Sequence, residues 1–357
     1  MTVTTPEHTP VTETPGSSGT RLVDRVFKMR ELAILVVFLV MIAVTQAGNS
    51  EFLSEQGIKD LLLNATILVL VATGQSLVVI TRNVDLSVGS TLGITAFAAG
   101  DYLHSGGNPA LAIVLAVLLG VGCGLLNGVL VSFGQVPALV VTLGTLYIIR
   151  GIDSIWVGSR QITAADLPGA FNDFGSGGLS AIPYLALIAL AVLVATAYYL
   201  KHFGSGRELY ALGSNPEAAR LAGIPVRRRI ITAYTVCGAL AGLAGAMYLA
   251  RFGNVDSSTG NGYELTVVSA VVVGGVVFTG GSGSVYGAAL GALLLTSINS
   301  VLPALGVSSV WVLAINGILL LLAIAVDRIV ALRVAVALKK KSALKRTATS
   351  KENTRHA

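Results

Sequence analysis

Ten apolar stretches, most of them near twenty residues long, follow one another along the chain. They lie at 31–47, 61–81, 86–103, 110–133, 137–157, 181–200, 230–250, 265–279, 285–303 and 308–326. An α-helix rises 1.5 Å per residue, so about twenty residues match the ~30 Å hydrocarbon core of a bilayer. Backbone groups in lipid find no water, so each stretch has to close its hydrogen bonds within itself as helix. The pattern predicts an all-α polytopic membrane protein of about ten transmembrane helices. A soluble α/β enzyme with buried strands also carries apolar runs, but shorter ones. Composition decides between them: charged residues make up 12% of the chain, half of the about 25% usual in soluble domains. Helices beside "RNVD" (82–85) and "GGSGS" (280–284) are short and glycine-rich, and are expected to break or re-enter.

Lysine and arginine set the orientation. Of 24 in all, four lie in the N-terminal tail, one in the 82–85 link, six in the 201–229 loop and nine after Asp327. This asymmetry predicts a multi-pass protein of the cell membrane, with both termini and the 201–229 loop in the cytoplasm. Three regions follow: a disordered tail over 1–30, a transmembrane domain over 31–327 and a basic tail over 328–357. The first apolar run starts only after Arg30, too far in for a signal peptide, so the first span is expected to stay in the mature protein. The basic tail reads as a solvated, topology-fixing segment beside anionic headgroups rather than a nucleic-acid site, so no nucleic-acid partner is expected.

Enzymatic chemistry finds little support. There is no HExxH, no paired-aspartate metal motif and no Ser-His-Asp set, and His8, His104, His202 and His356 are scattered. No metal site is expected, and Cys123 and Cys237, each inside an apolar run, read as packing. Gly120, Gly124 and Gly128, and likewise Gly238, Gly242 and Gly245, fall near one helical face and suit close helix packing. Asn64, Gln75, Asn127, Asn299 and Asn316 interrupt apolar runs and read more readily as interhelical hydrogen-bond partners than as ligands for sugar hydroxyls.

Two polar stretches stand out. In "ALGSNPEAARLAGIPVRRR" (211–229), Asn215 suits an N-cap, Pro216 the first helical position and Glu217 the positive end of the helix dipole. Gly223 is a natural stop and Pro225 prevents continuation. A helix this short is unstable alone, so neighbours or a partner have to hold it; a plain connecting turn is the competing reading. In "VVITRNVDLSVGS" (78–90), Arg82 and Asp85 are spaced to pair on a helical turn. An unpaired charge deep in the membrane costs about 2.5–3.5 kcal/mol. Ser87 and Gly89 allow the backbone to break, which a cavity tolerates and lipid does not. The stretch is either such a break, lining or gating a path, or a cytoplasmic turn.

"EAARLAG" (217–223) resembles the E-A-A-x-x-x-G loop of ABC-importer permeases, although no Ile-x-Leu-Pro follows it. "VDLSVGS" (84–90) is similar to the Ile-Asp-Leu-Ser-Val-Gly-Ser signature of ribose-type sugar permeases, and the likeness extends over most of 60–327. Arg82-Asn83, where many members have two glycines, is closer to the rhamnose-type and autoinducer-2-type branches. The resemblance implies the permease subunit of an ATP-driven importer moving a monosaccharide by alternating access. Asn215, Glu217, Ala218, Ala219, Arg220 and Gly223 would form the helix that couples to the ATPase. Arg82, Asn83, Asp85, Ser87, Gly89 and Ser90 would line or gate the substrate path. It also implies a cytoplasmic ABC ATPase, an extracytoplasmic sugar-binding protein and a second permease copy or paralogue. No cofactor would be bound by this chain; ATP and magnesium would sit on the ATPase, since the chain has no P-loop of its own. A branched-chain amino-acid permease is the near alternative and an ion-coupled secondary transporter the distant one.

Overall fold

The structure, a computed structural model, describes residues 18–134, 136–304 and scattered positions between 306 and 325. Twelve α-helices carry the described residues: α1 (Ser18–Gly48), α2 (Glu55–Ile80), α3 (Val88–His104), α4 (Pro109–Gly134), α5 (Ala138–Val157), α6 (Gly169–Ser176), α7 (Tyr184–His202), α8 (Gly204–Ser214), α9 (Pro216–Leu221), α10 (Val226–Phe252), α11 (Tyr263–Val273) and α12 (Val285–Ala304). Among the described residues, strands are limited to two antiparallel two-residue pairs. β1 (Ile162–Thr163) pairs with β4 (Asn254–Val255), and β2 (Gly178–Leu179) with β3 (Ile182–Pro183). The fold is all-α, and among the described residues six helices are long and apolar enough to cross a membrane: α2, α4, α5, α7, α10 and α12.

α2 is the central post. Its residues from Leu63 to Ile80 are buried almost without interruption, and α10, α12, α7 and α11 pack around it. The most extensive helix packing is α4 on α10. A Cβ on Gly238 would lie 2.7 Å from the Gly124 Cα and 2.8 Å from its nitrogen, and Gly242 faces Ala116 and Val117. Bare backbones therefore touch where lipid gives helices no hydrophobic reason to associate. Gly245 is different: it turns to α3, against Leu92 and Thr95, so one glycine-rich helix serves two neighbours. Gly238→Val forces the backbones apart and should destabilise by about 1–3 kcal/mol, read as a lower Tm in detergent; an unchanged Tm would mean that the crossing is loose.

Three boundaries differ from the sequence reading. The backbone is already helical from Ser18, so the limit at Arg30 falls inside α1, while 1–17 and the tail 328–357 lie outside the described residues. α2 starts at Glu55 because the Ser54 hydroxyl accepts the Gly57 N–H (3.1 Å) and caps it. The 265–279 stretch stays helical only to Val273. The break that follows holds Gly275, Gly280, Gly281 and Gly283, all at positive φ, a conformation that costs other residues. The last apolar stretch, 308–326, has only scattered described positions, and Asn316 lies outside them.

Candidate functional site

α9 forms as its sequence dictates. The Asn215 side chain accepts from the backbone N–H groups of Glu217 and Ala218 (both 3.1 Å), with Pro216 at the first position. At the other end the Gly223 N–H bonds the Arg220 carbonyl (3.1 Å) and the Ile224 N–H bonds the Ala219 carbonyl (3.0 Å), with Gly223 at φ 80°. This paired closure satisfies the last carbonyls. Ala219 faces the protein body, while Glu217, Ala218 and Arg220 face outward and Leu221 is 89% exposed.

The helix before it is seated under two breaks at once. The Glu208 carboxylate on α8 accepts from Arg229 on α10, and the Tyr210 hydroxyl donates to the Gly283 carbonyl (3.1 Å). At the end of α8, Gly213 lies against the Ile80 carbonyl and the Gly281 nitrogen. Those two groups bond each other, Gly281 N–H to Ile80 C=O, at 2.8 Å. The α8–α9 hairpin, the end of α2 and the α11–α12 break thus meet backbone to backbone.

The α2–α3 break itself is a buried polar knot. Asp85 is 1% exposed, and its Oδ1 accepts from the Ser87 N–H (2.9 Å), the Ser87 hydroxyl (2.7 Å) and the Asn127 Nδ2 (3.3 Å). Asn127 also donates to the Ser87 hydroxyl (2.7 Å). With its amide turned to face them, Gln75 satisfies both backbone groups of Asp85, the carbonyl at 3.3 Å and the N–H at 3.2 Å. Val84 is fixed through its carbonyl by the Tyr234 hydroxyl (3.0 Å) and Thr142 (3.3 Å).

The Arg82–Asp85 pairing expected from the spacing does not form. Arg82 sits at φ 68°, outside the helix, so the three-residue spacing no longer places the two on one face. Its exposed side chain reaches across to the Thr279 carbonyl (2.6 Å). Arg82 and Asn83 line a cavity of about 570 Å³ with Val131, Pro137, Ile230 and Phe278. Ser87 and Ser90 are buried, with the Ser90 hydroxyl on the Ser87 carbonyl (2.9 Å), and Gly89 lies against Gly260 and Glu264. The six residues therefore share one segment but split between a cavity wall and a buried knot. Gln75, Asn127 and Tyr234 hold that knot. The first two were visible in the sequence as polar interruptions, without any sign of what they bind. Since glycine adopts positive φ freely, Arg82→Gly should fold at least as well as the native chain, whereas branched Arg82→Val should lower the Tm.

Of two acids that sit near span ends in the sequence, one is buried and the other half-buried. Asp153 is fully buried one turn before the end of α5, and Glu264 opens α11 beside Gly89. Among the described residues no three His, Cys, Asp or Glu side chains gather into a metal-binding group.

Residues 57–324 match the family model described as the branched-chain amino acid transport system permease component. The chain belongs to that family. This permease is 36% identical over 300 residues to the autoinducer 2 import system permease protein LsrC of Enterobacter sp. (strain 638), covering 84% of this chain and 87% of the relative. It is 34% identical over 312 residues to the ribose import permease protein RbsC of Escherichia coli (strain K12), covering 87% and 97%. A third relative, LsrC of Salmonella paratyphi B (strain ATCC BAA-1250 / SPB7), is 38% identical over 295 residues, covering 82% and 84%. No solved structure matches it. The permease is a multi-pass membrane protein and a transport subunit rather than an enzyme.

Proposed function

We propose that this permease is the membrane-spanning subunit of an ATP-driven importer of a monosaccharide, with α9 as the element that takes up the movement of a separate cytoplasmic ATPase. One observation carries this reading: the capped, outward-facing α9 continues from a helix whose end rests on the Ile80–Gly281 backbone bond. A push on α9 therefore reaches the α2–α3 break with no flexible side chain between. Relatives named for ribose and autoinducer 2 import support a sugar over a branched-chain amino acid.

The cycle is alternating access. Closure of the ATPases moves α8 and α9, the two breaks shift together, and the knot of Asp85, Ser87 and Asn127 shifts with them, changing which side the path opens to. ATP and magnesium belong to the ATPase, and an extracytoplasmic binding protein delivers the sugar. Both termini and α9 face the cytoplasm, as the lysine and arginine asymmetry supports. A second permease copy or paralogue completes the path; α5, which buries only a stripe from Thr142 through Ile149 to Val157, leaves its opposite face available for it.

Tagged permease drawn from gently solubilised native membranes should bring an ATPase with it. Glu217→Lys, which reverses the charge on the exposed face of α9, should lose that partner. No ATPase with either form, in a preparation still active for uptake, would overturn the reading in favour of an ion-coupled carrier.

A further inference from the structure

A second polar cavity lies at the far end of α10 from α9. It measures about 240 Å³, and its walls include Tyr248, Asn254, Asp256, Thr259, Asn261 and Tyr263. The 253–262 segment that forms it does not stay at the surface. Gly260 packs on Gly89 near the start of α3, and the Thr259 carbonyl lies against Gly93, so the segment dips back between helices. Pairing of Ile162 with Val255 holds its outer end. Arg150 on α5 holds its inner end, donating from Nη1 to the Thr259 carbonyl (2.6 Å).

We propose that this cavity is a sugar-binding site of the permease itself, with Thr259 and Gly260 as a floor that Arg150 keeps closed. The proposal rests on the importer reading above and adds where the sugar is received. The lining is the chemistry of a neutral polyol site: amides, hydroxyls, two aromatic rings and one carboxylate, with no cation among the lining residues. Asp256 Oδ1 is occupied by the Ser258 N–H (2.8 Å) and hydroxyl (2.7 Å). That hydroxyl holds the carboxyl below its usual range, so the group faces the cavity as an anion, an acceptor for sugar hydroxyls. Gln161 donates to the Asn254 Oδ1 (2.7 Å) and leaves its amide N–H groups to give. The Asn261 side-chain amide and the Tyr248 hydroxyl bond nothing within the chain among the described residues. A branched-chain amino acid fits poorly, because its carboxylate would meet Asp256 with no cation to match and its side chain would find no aliphatic wall.

What lies under the floor continues the same chemistry. Both Asp153 carboxylate oxygens, Glu264 Oε2 and Asn127 Oδ1 are buried without a hydrogen-bond partner among the described residues. Arg150 forms an ion pair with Asp153 at 3.8 Å, too long for a hydrogen bond while its Nη1 holds Thr259. Buried unsatisfied polar atoms are costly in a resting fold. Here they line the Gly89–Gly93 part of α3 and, at Asn127, the knot before it, the wall between this cavity and the one at Arg82 and Asn83. A hydroxylated solute released through the floor would meet acceptors along that wall.

The test uses the permease reconstituted with its ATPase and binding protein in proteoliposomes, and a panel of neutral monosaccharides with leucine as the contrast. The sugar taken up is then added to the permease during hydrogen exchange. Residues 253–263 should gain protection with that sugar and not with leucine. Asn261→Ala should erase the protection and raise the half-saturating sugar concentration about fivefold, equivalent to ~1 kcal/mol, with ATPase recovery unchanged. Asp256→Asn should act in the same direction. A sugar that is transported while 253–263 exchanges identically with and without it, and while both variants saturate as wild type, overturns the site and leaves the importer reading standing. Uptake of leucine with no sugar transported overturns both.

Discussion

Asp85→Asn should abolish uptake in the assembled importer while the permease still inserts and still recovers its ATPase. The reason lies in the count of donors. One oxygen of Asp85 accepts from the Ser87 N–H, the Ser87 hydroxyl and the Asn127 amide. An asparagine keeps one acceptor, now uncharged, and puts a donor in place of the other oxygen, so the three bonds that Asp85 accepts lose their charge assistance. A hydrogen bond to a charged group is worth about 1.5–3 kcal/mol, and each buried group left without a partner costs a similar amount. The knot should therefore rearrange, and with it the junction that positions α3 between the two cavities. Global stability is carried elsewhere, on α2 and the α4–α10 crossing, so membrane assembly should survive. Asp85→Ala should show the same loss of uptake with a lower Tm, because all three donors then lose their acceptor. Uptake by Asp85→Asn within twofold of wild type, at equal membrane abundance, would remove the knot from the transport mechanism.

Gly213→Val should uncouple ATP hydrolysis from transport. A Cβ at this position would overlap the Ile80 carbonyl and crowd the Gly281 nitrogen, so the valine has to break the 2.8 Å bond between them or lift α8 away. The capped surface of α9 is untouched, and the ATPase should still copurify. Uptake should fall at least about tenfold, the effect of a 1.4 kcal/mol change in the transport barrier, while ATP hydrolysis persists. Gly223→Ala is the informative companion. It strains the stop of α9, at φ 80°, by about 1 kcal/mol, without touching Ile80 or Gly281. Equal damage from the two variants would mean that α9 geometry alone matters and that the α8 seat transmits nothing.

Much of this architecture is legible before any coordinates are known, and the reason is the same in each case. Six of the ten expected spans follow from run length and from the cost of open backbone in lipid. The cap of α9 follows from Asn215, Pro216 and Gly223, which act on groups within three residues. The interruption near "GGSGS" follows from glycines that tolerate positive φ. All are local effects, decided by residues adjacent in the chain. Even the interrupted α11 was flagged by composition, though its end at Val273 was not.

The pairings that make the site belong to the tertiary structure. The Arg82–Asp85 spacing promised an ion pair, but the turn at Arg82 points the two apart, and the guanidinium settles on Thr279, 197 positions away. Asp85 is held instead by Asn127, 42 positions on, and the Tyr234 that fixes Val84 lies 150 beyond it. Arg150 on α5 holds a re-entrant carbonyl 109 positions downstream. The sequence states which side chains need partners, because a polar group in an apolar run has to be satisfied. It does not state which partner, because that depends on helix crossings, and those are set where glycines on separate helices let backbones touch.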